Sequence, residues 1–292
     1  MTEQLELITP YLPVYAEPVL DAHDKSEPNL LAGLLVGDYS ALYGGSHPAL
    51  KDDEKWPRCE TCANRTPLVP YLQINLSTEH TPAEFRSVLP PLRPDGFTLF
   101  QVFVCTAYGE NPGSCFEDWM SGAAEGKAWL ARVVHFEGDA NGLLAPKTAE
   151  YEEARRSLVA ELVPTQRIIT AWTPGSPEVP HEEMLFQMGC MDYDAEFYDA
   201  HEPVSGLKLL GHAVLGKVQN FPEDEDQQEG CSSCSASDAP NTIWGFRCLV
   251  QLGTDEVDAE WDQSEFMTSG NAYVLQCKRH PYTFQGGRSF SW

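Results

Sequence analysis

No run of about 18 or more apolar residues occurs in the 292-residue chain, so a membrane-spanning helix is not expected. The opening MTEQLELITPYLPVYAEPVL carries neither a basic leader nor a continuous apolar stretch. It does not read as a secretory signal, and a cytoplasmic chain is expected. Basic residues are scarce: 19 Lys plus Arg stand against 44 Asp plus Glu, a formal net charge of −25. Such a surface repels phosphate backbones, which argues against nucleic acid as a partner. It would speed encounter with a basic protein, less so as salt rises, although acidity also serves solubility alone.

Catalytic signatures are missing as well. There is no P-loop and no dinucleotide fingerprint. HEEM at His181 lacks the second histidine of a zinc-protease helix, and GGSHP at Gly44–Pro48 is not the G-x-S-x-G elbow. His23, His47, His80, His135, His201 and His212 are scattered, each reading as a surface or satisfied core residue. No catalysis is expected.

A hydrophobic fraction of 42% with 11% aromatics is ample for a core. LVPYLQINL (Leu68–Leu76) and GFTLFQVFVC (Gly96–Cys105) read as strands, the second a buried one. Between them Thr81, Pro82 and Glu84 match an N-cap, an N1 proline and the acid of a capping box, predicting a helix from Pro82 to about Leu89. TAEYEEARRSLVAELVP has helical spacing at Tyr151, Ala154, Leu158, Val159 and Leu162, with Glu152 and Glu153 ahead of Arg155 and Arg156. AWLARVVHF, QRIITAW, IWGFRCLVQL and NAYVLQC read as further strands, and residues 178–202 resist assignment.

Two Cys-x-x-Cys knuckles, Cys59/Cys62 and Cys231/Cys234, recur in parallel surroundings. Glycines precede each (Gly44-Gly45 and Gly216), LQINL and LVQLG follow, and an apolar strand closes each unit on a cysteine. Cys105 lies 43 residues after Cys62, and Cys277 lies 43 after Cys234. Zinc takes four soft or borderline ligands, which two short-range pairs joined by a longer loop supply. The first set would be Cys59, Cys62, Cys105 and Cys115; the second Cys231, Cys234, Cys277 and His280. Redox dithiols favour helix N-termini, whereas both knuckles precede strands. Disulfides need an oxidising compartment, which a chain without an export signal does not reach. Four protein ligands close a site, so both would be structural. Cys190 and Cys248 read as buried thiols.

The order GG-x-x-P, WP-x-C-x-x-C, P-L-x-x-x-LQI-x-L, G-F-x-x-FQVFVC and GNAYVLQCKRHP resembles the YwqG-like family, a family of unknown function, from about Tyr43 to Trp292. The duplicated unit is also distantly similar to the programmed cell death protein two family, thought to chaperone a ribosomal protein. The resemblance implies an immunity protein, since YwqG-like members are often encoded beside polymorphic toxins. Toxin domains are commonly basic nucleases, which an acidic inhibitor would find quickly.

The expected fold is a β-rich α+β one: an N-terminal arm packed on the body (1–42), a first knuckle–strand unit (43–145), a helical and acidic middle (146–206) and a second knuckle–strand unit (207–292). The expected function is stoichiometric binding of a basic protein, a cognate toxin first, with a chaperone of a basic host protein or an enzyme with a cleft between the repeats as alternatives. Glu223, Asp224, Glu225, Asp226 and Glu229 in PEDEDQQE, with the acidic connection at 255–265, are the candidate contacts. Charge runs are more often solvated faces.

Overall fold

The computed structural model describes residues 7–16, 27–52, 54–62, 64–105, 128–138, 148–158, 163, 166–181, 185, 195–214, 246–253, 270–282 and 284–290. These contain ten strands and four helices. In chain order they are β1 (Tyr11–Tyr15), α1 (Glu27–Val36), β2 (Ala41–Tyr43), β3 (Val69–Asn75), α2 (Ala83–Val88), β4 (Phe97–Val104) and β5 (Trp129–Phe136). There follow α3 (Ala149–Arg156), β6 (Arg167–Pro174), α4 (Ala195–His201), β7 (Lys208–Leu209), β8 (Phe246–Leu252), β9 (Gly270–Cys277) and β10 (Phe284–Phe290). The expectation of a β-rich α+β chain holds among the described residues. No described helix is long and apolar enough to cross a membrane.

The described residues fall into two compact units, one drawn from 13–172 and the other from 7–12 and 173–290. In the first, β6, β2, β3, β4 and β5 lie side by side in that order, antiparallel throughout. In the second, Tyr11 pairs with β7, and β7, β8, β9 and β10 follow as antiparallel neighbours.

Burial explains the strands of the first unit. Every residue of VPYLQIN in β3 and of FTLFQVFV in β4 is buried, so both faces are covered and neither strand alternates. One cluster joins Leu31, Leu34 and Leu35 of α1 to Phe97, Leu99, Val134 and Phe136, with the Phe97 and Phe136 rings stacked at 5.1 Å. At α3 the Thr148 side chain accepts from the Tyr151 N–H, and Arg155 pairs with Glu152 at 3.0 Å.

The capping box expected at α2 does not form. Pro82 stands at the cap without a side-chain hydrogen bond. The Thr81 hydroxyl is buried and donates instead to the Asn75 carbonyl at 2.7 Å, with Ser40 Oγ also at 2.7 Å. Its oxygen is engaged in tertiary structure, so it is not the cap.

The two meanders share a register. A bulge lies between Pro70 and Leu72 in β3, and the same irregularity lies between Cys248 and Val250 in β8. Directly beyond it Leu72 faces Val102, as Val250 faces Val274. Counted from there, Gln73 corresponds to Gln251 and Cys105 to Cys277. The bulge residues Tyr71 and Leu249 accept from the N–H groups of Gly44 and Leu210, at 2.8 and 2.9 Å. Both turns are left-handed, at φ of 72° and 95° for Gly44-Gly45 and 58° and 78° for Leu210-Gly211. The counterpart of Gly45 is therefore Gly211, not Gly216, because pairing register sets the correspondence and loop length does not. A Cβ on Gly211 would lie 2.3 Å from Glu178 Oε2.

Candidate metal centre

The first knuckle is a tight hairpin. Cys59 N–H donates to Thr66 O at 2.8 Å, Leu68 N–H to Pro57 O at 2.9 Å, and Arg58 bridges to Pro67. Arg65 closes the turn at φ 47°, with its N–H on Cys62 O at 3.0 Å. Within it the Cys62 N–H points at Cys59 Sγ, 3.3 Å away. Cys105, just past the end of β4, is tied to Ala128 O at 2.8 Å.

This architecture brings Cys59, Cys62 and Cys105 together: their sulfurs all lie within 4.8 Å of one another, with Cys62 and Cys105 at 3.3 Å. Cys59 and Cys105 are buried and Cys62 half-buried. Trp56, Leu50, Leu68, Phe103, Ala128, Tyr151 and Ala154 form the apolar shell. Trp56 is locked by its indole N–H on Leu68 O at 2.8 Å and by the Tyr151 ring at 5.0 Å.

The Cys59 thiol is lowered to about 5. The hydrogen bond from Cys105 is the largest cause; burial opposes it, and the Cys62 and Thr61 backbone and the Cys62 thiol assist. The cluster thus favours the Cys59 thiolate, the form that binds metal. In a tetrahedral site with Zn–S bonds of about 2.3 Å, sulfurs sit roughly 3.8 Å apart, below the 4.8 Å within which all three sulfurs lie. The three cysteines can hold a metal ion. Cys115, the expected fourth ligand, lies outside the described residues.

Of the second ligand set, Cys277 is buried and its Sγ is 3.7 Å from His280 Nδ1, across a turn closed by His280 N–H on Cys277 O at 3.2 Å. Cys231, Cys234, Cys190, the acidic residues Glu223, Asp224, Glu225, Asp226 and Glu229, and the 255–265 connection lie outside the described residues. The five described cysteines form no disulfide with one another. Burial pushes Cys248 up to about 12, the state of an inert core thiol. His47 Nδ1 meets Ser46 Oγ at 3.2 Å and His135 Nδ1 meets Thr98 Oγ1 at 3.1 Å.

Sequence reasoning missed a buried ion pair between Glu178, at the start of the unassigned acidic stretch, and Lys208 in LKLLG. Lys208 Nζ donates to both Glu178 oxygens, at 2.7 and 2.8 Å, and both side chains are 1% exposed or less. The Val204 and His212 N–H groups complete the carboxylate, at 2.8 and 2.7 Å. Burial raises Glu178 and lowers Lys208, each opposed by the partner's charge. A single lysine inside the apolar run LKLLG was the available signal, since such a residue needs an acid when buried.

No protein-family model matches the chain, and none of the curated proteins compared with it matches.

Proposed function

We propose that the chain is a non-catalytic acidic protein, stapled by structural zinc, that binds a basic protein partner. The observation that carries the partner is the net charge of −25, which favours a cationic surface and disfavours nucleic acid. The leading partner is a nuclease-type toxin that the chain neutralises, reached through the acidic residues 223–229 in the cytoplasm. The metal reading extends from the Cys59–Cys62–Cys105 cluster to two ions. Cys115 completes the first site, and Cys231 and Cys234 join the Cys277–His280 pair in the second. Closed four-ligand sites act as staples because metal binding there is folding free energy.

A pull-down of tagged chain from lysate, supplemented with the products of adjacent genes, tests the partner at low and moderate salt. One basic toxin-like protein should be retained, with its on-rate falling as salt rises. Recovery of a ribosomal protein instead would move the function to chaperoning. Retention of nothing basic would defeat the proposal.

A further inference from the structure

In each unit one residue of the loop leading towards the knuckle is gripped at both its N–H and its C=O. In the first, Ala49 N–H donates to Gln73 Oε1 and Ala49 O accepts from Gln101 Nε2, both at 2.9 Å. In the second, Val214 N–H donates to Gln251 Oε1 at 2.9 Å and Val214 O accepts from the Tyr273 hydroxyl. Gln73 faces Gln101 directly across β3 and β4, as Gln251 faces Tyr273 across β8 and β9. Side chains on one strand face recur every second residue, so Gln101, Phe103 and Cys105 share a face, as do Tyr273, Leu275 and Cys277. The gripping side chain thus stands two positions along that face from the residue that closes each cysteine unit.

The first clamp continues sideways. Gln101 Nε2 also donates to Gln73 Oε1 at 2.9 Å, and Gln73 Nε2 donates to His47 O at 3.1 Å. Arg132, opposite Gln101 on β5, donates from Nε to Gln101 Oε1 at 2.9 Å and pairs with Glu54. Its guanidinium lies 5.3 Å over Phe103, a member of the shell around the cysteines. The chain is therefore held at 47, 49 and 54 before Trp56 and Cys59 are reached.

We infer that Gln73, Gln101 and Arg132 are positioning residues for the metal centre: they set the knuckle against Cys105 without touching the metal. The inference rests on the metal reading above. Residues that orient metal ligands from one shell out typically alter affinity by about 10–100-fold. The test follows transfer of zinc from the full chain to a chromophoric chelator. The phase missing from Cys62→Ser protein belongs to this centre. Gln101→Met should speed that phase about tenfold. Leu31→Ala, a core change elsewhere in the unit, and Tyr273→Phe, which opens the other clamp, should leave it unchanged. If Gln101→Met does not fold, Arg132→Met at a side chain 20% exposed carries the same expectation. Unchanged release from a folded clamp variant, or equal acceleration by Leu31→Ala, would overturn the inference and leave the metal standing. A wild-type chain that takes up no zinc would overturn both.

Discussion

Cys59 and Lys208 carry the account at the scale of single residues. Against an ordinary thiol value of 9.0, Cys59 is held near 5 in the folded chain. A group lowered on folding contributes stability in full above its unfolded value and loses it as pH falls through the folded one. Metal-free wild type should therefore gain on metal-free Cys59→Ser in melting temperature as pH rises from about 5 to about 9. Curves that stay parallel would mean that the thiolate is not stabilised. Lys208 occupies the register position that Leu42 holds in the first unit, since each lies opposite a glutamine, Gln251 or Gln73. Lys208→Met would leave the Glu178 carboxylate buried without a counter-charge, at a cost of about 3–5 kcal/mol in chemical denaturation. A loss below about 1 kcal/mol would show that water reaches the carboxylate. The cysteine neighbours of Cys59 were legible in the spacing of Cys59, Cys62 and Cys105, and LKLLG marked Lys208 as a buried lysine, but the identity of its acid was not legible. A lysine has the same local pattern whether its acid is present or absent, and Glu178 is thirty positions away.

Among the elements, β3 and β4 were legible because their apolar runs are continuous and bounded by turn residues. Observed limits of Val69–Asn75 and Phe97–Val104 sit inside the expected spans. The helix from Ala149 was legible too, through its spacing and its Glu152–Arg155 pair, although its described end at Arg156 comes earlier than the pattern suggested. Strands β2 and β7, of three and two residues, are too short to show a period of two. At α2 the local signal pointed to a cap, but a tertiary hydrogen bond took the Thr81 hydroxyl. The glycine match failed for a related reason: a left-handed turn admits Leu210 where the first unit has Gly44, so identity was lost while conformation was kept. Gly211→Ala should confirm the correspondence. Its Cβ would displace the Glu178 carboxylate and strain a positive φ, costing about 2 kcal/mol or more. A neutral substitution there would contradict the assigned turn.

Among the described residues one design occurs twice, a four-strand antiparallel meander with a bulge, a left-handed turn, a clamped loop and a closing cysteine. Order of elements and cysteine spacing revealed the duplication in the sequence; register and hydrogen bonding reveal its basis. Both closing cysteines lie near another possible ligand: the Cys59–Cys62 knuckle in one unit, His280 in the other. The most direct measurement is the metal content of purified wild-type and Cys62→Ser chains by mass spectrometry, with melting curves alongside. The account predicts about two zinc ions per wild-type chain, about one in the variant, and a lower melting temperature for the variant. Metal-free wild type at full stability, or a Cys62→Ser chain that keeps its zinc and its melting temperature, would contradict it.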